Sequence, residues 1–116
     1  MKKTVMLKKN YEFRKVLSKG KYYTGEFIEA LILSNTKGIN SLGIAVNTKL
    51  GTAVERNRIK RLFRECYYLF EENLLDGQEI VFLWKKKQPI EKATFNNIKT
   101  DMENIFDKAK ILKKEK

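Results

Sequence analysis

The spacing of hydrophobic residues near the start of the chain predicts an amphipathic helix. Phe13, Val16 and Leu17 fall on one helical face, and Asn10 before them is a residue type favoured at the N-cap. Gly20 is well placed to end the element, because glycine is enriched just beyond helix C-termini. The first helix is therefore predicted over residues 11–19.

Three runs of closely spaced apolar residues predict strands, over residues 27–33, 42–46 and 79–84. A turn-forming stretch that includes Gly38 separates the first two runs, which predicts that they pair as a hairpin. A long segment of helical period separates the second run from the third. This arrangement predicts that these two strands are parallel.

The helical period returns in two further segments. A long helix is predicted over residues 54–73, and a final helix follows Thr94, which is its predicted cap. The predicted core stripe of the long helix comprises Ile59, Leu62, Phe63, Cys66, Leu69 and Phe70. That of the final helix comprises Ile98, Met102, Ile105, Phe106, Ala109 and Leu112. The order helix, strand, strand, helix, strand, helix predicts an α+β fold, with residues 1–116 as one domain.

The balance of charge narrows the possible functions. The chain carries 25 Lys and Arg against 14 Asp and Glu, a net charge of +11, which favours a polyanionic partner such as nucleic acid, an anionic membrane or an acidic protein. No apolar run approaches the length of a membrane span, and the start lacks the pattern of a secretory signal. Cys66 is the single cysteine, and we expect a buried, reduced thiol in a cytoplasmic protein. Histidine, the commonest general acid–base, is absent.

One segment concentrates the positive charge: residues 49–64 hold six basic side chains and one acidic side chain. We call the following set the basic ridge: Lys49, Arg56, Asn57, Arg58, Lys60, Arg61 and Arg64. On a helical wheel most of these residues lie opposite the core stripe, with Arg58 near its edge. A solvated helix face would explain the charge alone. However, four of the six cations are arginines, whose planar forks suit phosphate, and cations in the first half of a helix oppose its dipole. The ridge is therefore predicted to bind a sugar–phosphate backbone.

The same segment resembles the signature of a known family. The run from Gly43 to Val46, followed by residues 49–65 with Arg56-Asn57-Arg58 at their centre, is similar to that of the bacterial ribonuclease P protein. A weaker resemblance covers nearly the whole chain. It implies an αββαβα sandwich like a domain of some ribosomal proteins, with a left-handed crossover around the basic helix.

The resemblance also implies a function. The chain would be the protein subunit of ribonuclease P, binding the catalytic RNA and precursor tRNA and assisting removal of the 5′ leader. Mg²⁺ ions bound mainly by the RNA would serve the chemistry, with no catalytic residue in the protein, no membrane partner and no small-molecule cofactor. The basic ridge would bind RNA. The leader would lie in a cleft formed by Phe13, Leu17, Asn47, Thr48, Lys85 and Lys86.

Two alternatives stay open at this point. A ribosome-associated or general RNA-binding protein would carry the same charge and the same order of elements. A metal-dependent nuclease would need an acidic site, for which Glu26, Glu29 and Asp101 are candidates scattered through different elements. For Phe13, a place in the core is the alternative to stacking on a leader base.

Overall fold

The computed structural model describes residues 4–113, which form one five-stranded mixed sheet and three α-helices. In chain order the elements are β1 (Thr4–Met6), α1 (Asn10–Lys19), β2 (Lys21–Thr24), β3 (Ile28–Ser34), β4 (Asn40–Ala45), α2 (Ala53–Phe70), β5 (Gln78–Trp84) and α3 (Phe95–Ala109). Short 3₁₀ helices lie at Glu71–Asn73 and Ile90–Lys92. The three helices and three of the strands lie close to their predicted positions. The pattern does not reveal β1 and β2, because these edge strands are only three and four residues long.

The strands are arranged in the order β1-β4-β5-β3-β2. β4 runs parallel to β1 and β5, whereas β3 runs antiparallel to β5 and β2. The predicted parallel relation of β4 and β5 is confirmed. The predicted hairpin of β3 and β4 is wrong, because β5 lies between them. The physical reason lies in β5 itself: Ile80, Val81 and Phe82 are all fully buried, so this strand needs cover on both faces and takes the centre of the sheet.

The two faces of the sheet are covered unequally. α2 and α3 pack on one face, where Ile28, Leu42 and Phe82 are fully buried in the main core. α1 packs across the other face, where Phe13 lies over Gly43. A Cβ added to Gly43 would lie 2.7 Å from Phe13 Cε1, so only glycine lets the ring approach this closely. α1 is a single helix on a five-stranded sheet, and part of this second face stays open.

The ends of the helices agree only in part with the sequence prediction. Asn10 is the first residue of α1, and Lys9 is the N-cap, so the predicted cap is displaced by one residue. Glu12 caps this end instead, because its Oε1 accepts the backbone N–H groups of Lys9 at 3.0 Å and Lys8 at 3.2 Å. These two hydrogen bonds lower the pKa of Glu12. Gly20 ends α1 as predicted, and Thr94 caps α3 as predicted.

The buried stripe of α2 is displaced slightly from its predicted position. Leu69 was expected in the core but is 52% exposed, whereas Tyr67 is fully buried. The cause is β1, which extends the sheet over that side of the helix. Thr4 Oγ1 of this strand lies 2.8 Å from the Tyr67 hydroxyl oxygen. In α3 the predicted stripe is buried as far as Phe106, and Leu112 lies beyond the helix.

Candidate nucleic-acid interface

A capping box starts the helix that carries most of the basic ridge. Thr52 Oγ1 accepts the backbone N–H of Glu55 at 3.1 Å, and Glu55 Oε1 accepts the backbone N–H of Thr52 at 2.8 Å. The single acid of the basic segment therefore has a structural role. It also supplies negative charge at the positive end of the helix dipole.

Two arginines of the ridge are bound to main-chain carbonyl groups. Arg56 Nη1 donates to the carbonyl oxygens of Leu50 at 3.2 Å and Gly51 at 2.9 Å, in the loop before α2. Arg58 Nη1 donates to the carbonyl oxygen of Ala93 at 3.2 Å, just before α3. α2 begins at Ala53, so Arg56 lies at the end of the first turn and Arg58 in the second. The cost of placing these cations near the helix start is therefore offset inside the protein, which weakens the dipole argument for RNA binding.

The other ridge residues on α2 are exposed to solvent or lie at the border of the exposed face. Asn57 and Arg61 are exposed, and Lys60 and Arg64 are partly buried. Arg61 Nε lies 3.7 Å from Glu65 Oε2, with the two side chains 63% and 50% exposed, so this pair contributes little to stability. Within residues 4–113 no other Lys or Arg nitrogen lies within 4.0 Å of a carboxylate oxygen. The charge of this face is thus available to an anionic ligand.

A groove of about 410 Å³ opens on the face of the sheet that α1 covers only in part. It lies where the parallel strands β4 and β5 end and where β3 begins. Its lining residues are Glu29, Ala45, Val46, Asn47, Thr48, Leu83, Trp84 and Lys86. We call this the sheet groove. Its floor is apolar, and Lys86 supplies its cation.

The structure brings together three of the six predicted cleft residues: Asn47, Thr48 and Lys86 line the sheet groove. Asn47 Oδ1 accepts the backbone N–H of Lys49 at 2.8 Å, which fixes this loop and leaves the amide group of Asn47 free to donate.

The other three cleft residues lie outside the lining. Phe13 is partly buried against Gly43, one row of the sheet away from Ala45 of the groove. Leu17 is 42% exposed on α1. Lys85 is partly buried, and its backbone N–H donates to the carbonyl oxygen of Phe27 at 3.0 Å.

A small network holds the lysine turn after β5 in place. Trp84 is 2% exposed, stacks on Phe27 with ring centroids 6.0 Å apart, and donates its indole N–H to the carbonyl oxygen of Gln88 at 3.1 Å. The Gln88 side-chain amide donates in turn to the carbonyl oxygen of Glu26 at 2.9 Å. These bonds fix both ends of the turn that carries Lys86. Trp84 is therefore an anchor of the core at this end of β5.

The acids that would serve a metal-dependent nuclease do not form one site. Asp101 accepts the backbone N–H groups of Glu26, Phe27 and Ile28 at 3.2, 2.6 and 3.1 Å, so its carboxylate holds the loop before β3. Glu29 instead lines the sheet groove. Within residues 4–113 no three Asp, Glu or Cys side chains form a group able to hold a metal ion.

Two further findings concern Cys66 and the helices. Cys66 is fully buried as expected, and burial raises the pKa of its thiol to about 11. In the described part of the chain, no helix combines the length and the apolar character needed to cross a bilayer.

The fold and the site together define a class of protein: a small α+β sandwich with an arginine-rich helix and an open groove, suited to binding single-stranded nucleic acid. The model of the Ribonuclease P family matches residues 1–110. The ribonuclease P protein component of Natranaerobius thermophilus is 34% identical over 114 residues, covering 98% of this chain and 97% of that protein. The component from Clostridium botulinum strain Langeland is 36% identical over 106 residues, covering 90% and 94%.

Solved structures agree with this result. The RNase P protein of Staphylococcus aureus matches with a TM-score of 0.80 and 30% identity, covering 92% of this chain and 96% of that one. The RNase P protein of Thermotoga maritima matches with a TM-score of 0.78 and 26% identity, covering 89% and 96%. The chain belongs to the ribonuclease P protein family. It is therefore a subunit of an endoribonuclease that processes tRNA, and the ribosome-associated alternative is disfavoured.

Proposed function

We propose that this subunit binds the catalytic RNA of ribonuclease P through the basic ridge and holds the 5′ leader of precursor tRNA in the sheet groove. The observation that carries this proposal is the meeting of distant segments at one open groove. Asn47 and Thr48 follow β4, and Lys86 follows β5 about forty positions later. Because β4 and β5 are parallel, both segments lie at the same edge of the sheet.

The composition of the groove suits a single strand rather than a duplex. Its floor of Ala45, Val46 and Leu83 offers apolar surface to unstacked bases, and Lys86 offers charge to a phosphate. The loop from Asn47 to Gly51 connects this groove to α2, and Arg56 is bonded to that loop. A leader in the groove and an RNA on the ridge would therefore contact one rigid unit.

In this proposal the RNA subunit carries the chemistry with its Mg²⁺ ions, and the protein supplies affinity and position. The bonding of Asp101 to three backbone N–H groups supports this division, because it gives a structural use to the most buried of the three candidate acids.

The division of labour is tested by reconstituting the full chain with its cognate RNA at low and high Mg²⁺. We expect the protein alone to cleave no precursor tRNA, and the protein to increase cleavage by the RNA most strongly at low Mg²⁺. Efficient cleavage by the protein without RNA would contradict the proposal.

The leader site is tested by comparing Lys86→Ala with Lys87→Ala in the holoenzyme. The two variants change the net charge equally, but only Lys86 lines the groove. We expect Lys86→Ala to weaken binding of precursor tRNA several-fold and to reduce the salt dependence by about one ion, with no effect on mature tRNA. Equal effects of the two variants would show that the leader does not lie in this groove.

A further inference from the structure

The sheet groove contains a carboxylate, which is unexpected in a groove for a polyanion. Glu29 lies directly opposite Leu83, and Leu83 lies directly opposite Ala45, so these three residues form one row across β3, β5 and β4. No Lys or Arg nitrogen of residues 4–113 lies within 4.0 Å of the Glu29 carboxylate. A phosphate placed here would be repelled.

An exposed aromatic ring is bonded to this carboxylate. The hydroxyl group of Tyr22 donates to Glu29 Oε2 at 2.6 Å, and the pKa of Tyr22 is raised because this bond favours the protonated hydroxyl. Tyr22 lies on the edge strand β2, opposite Leu31, and is diagonal to Glu29 on the same face of the sheet. Tyr22 is 53% exposed. The bond thus holds an open aromatic surface beside the groove.

The chemistry of this pair suits a base. An exposed tyrosine ring offers a stacking surface to any base. A carboxylate has room for more than one donor, and it accepts hydrogen bonds from exocyclic amino groups such as that of cytosine. Uracil has a carbonyl oxygen at the position where cytosine has its amino group, and that oxygen would face the negative charge of Glu29.

We propose that Tyr22 and Glu29 form a base-binding subsite at the β2 side of the sheet groove, where the ring stacks on a leader base and the carboxylate accepts its exocyclic amino group. The subsite rests on the proposed function, since it requires the leader to lie in the groove. It makes Glu29 a specificity-determining residue that favours cytosine over uracil.

The test uses the holoenzyme reconstituted with cognate RNA and two precursor tRNAs that differ only in leaders of equal length, one of cytidines and one of uridines. Two pyrimidines are compared so that stacking strength differs little. We expect the wild type to bind the cytidine leader about fivefold more tightly, and Glu29→Gln to remove most of this preference. Tyr22→Ala should weaken both precursors about tenfold, and Tyr22→Phe should retain most of that affinity because it keeps the ring.

Tyr11→Ala is the matched control, because it removes a 66% exposed tyrosine that lies near Lys37 and Ile39, at the other end of the sheet, and it should change neither quantity. The affinity for mature tRNA is measured alongside, so that the affinity added by each leader is known. If the leaders add no affinity in the wild type, the proposed function fails and the subsite fails with it. If the leaders add affinity but cytidine and uridine bind equally and Tyr22→Ala has no effect, the subsite alone is overturned.

Discussion

The Arg56 guanidinium donates from Nη1 to the carbonyl oxygen of Gly51 over 2.9 Å. The same nitrogen donates to the carbonyl oxygen of Leu50 at 3.2 Å. Gly51 has a φ of 59°, a backbone conformation that is unfavourable for residues other than glycine. The loop therefore has a defined shape, and the hydrogen bonds from Arg56 on α2 hold it in place. The sequence predicts that Arg56 binds RNA, and the structure gives this arginine a second role, in the fold.

We therefore expect Arg56→Ala to lower the free energy of unfolding by about 1–2 kcal/mol, because two main-chain carbonyl groups lose a charged donor. Denaturant unfolding monitored by circular dichroism measures this change. Arg61→Ala is the control, since its 63% exposed side chain should change stability by less than about 0.5 kcal/mol. Equal midpoints for the two variants would show that the Arg56 bonds do not stabilise the loop.

Arg61→Ala should act on RNA binding instead. We expect weaker binding to the ribonuclease P RNA and a slope of log affinity against log salt reduced by about one, since one phosphate contact is lost. The matched control is Lys37→Ala, which removes one exposed cation from the loop before β4, at the end of the sheet away from the groove. A slope that stays unchanged in Arg61→Ala would exclude this side chain from the interface.

Substitution of Asp101 tests whether this carboxylate has a structural or a catalytic role. Asp101→Ala removes the acceptor of three backbone N–H groups and should destabilise the fold by about 2–4 kcal/mol. Asp107→Ala changes an exposed acid of the same helix and should be nearly neutral. Holoenzyme activity of Asp101→Ala should persist at temperatures where the variant is folded. Loss of cleavage without loss of stability would instead assign chemistry to this carboxylate.

Cys66 should be unreactive in the folded protein. With a pKa raised to about 11 by burial, only about one thiol in a thousand is ionised at pH 8, and the side chain is fully buried. We expect a disulfide-exchange reagent to label Cys66 slowly under native conditions and rapidly in denaturant. Fast labelling of the native protein would indicate an opening of the contact between α2 and α3.

The spacing of apolar residues correctly predicted the elements whose buried side chains form a regular stripe. α3 is an example, since Thr94 caps it and Ile98, Met102 and Phe106 are buried at helical spacing. The same reasoning placed Leu69 in the core, because a helical wheel does not show that β1 covers the opposite edge of α2. The hand of the crossover around α2 stays a prediction from the family resemblance.

The sequence by itself determined the density of positive charge in residues 49–64, the Arg-Asn-Arg helix and the parallel pair of strands that flank it. These features depend on neighbours within a few positions or on one crossover, so they can be read along the chain. Only the tertiary structure decided which ridge residues are used inside the protein and which side chains share the groove. The bond from Tyr22 to Glu29 depends on the register of the adjacent strands β2 and β3. The row from Glu29 to Ala45 joins strands that are distant in sequence, and it required β5 to lie between β3 and β4.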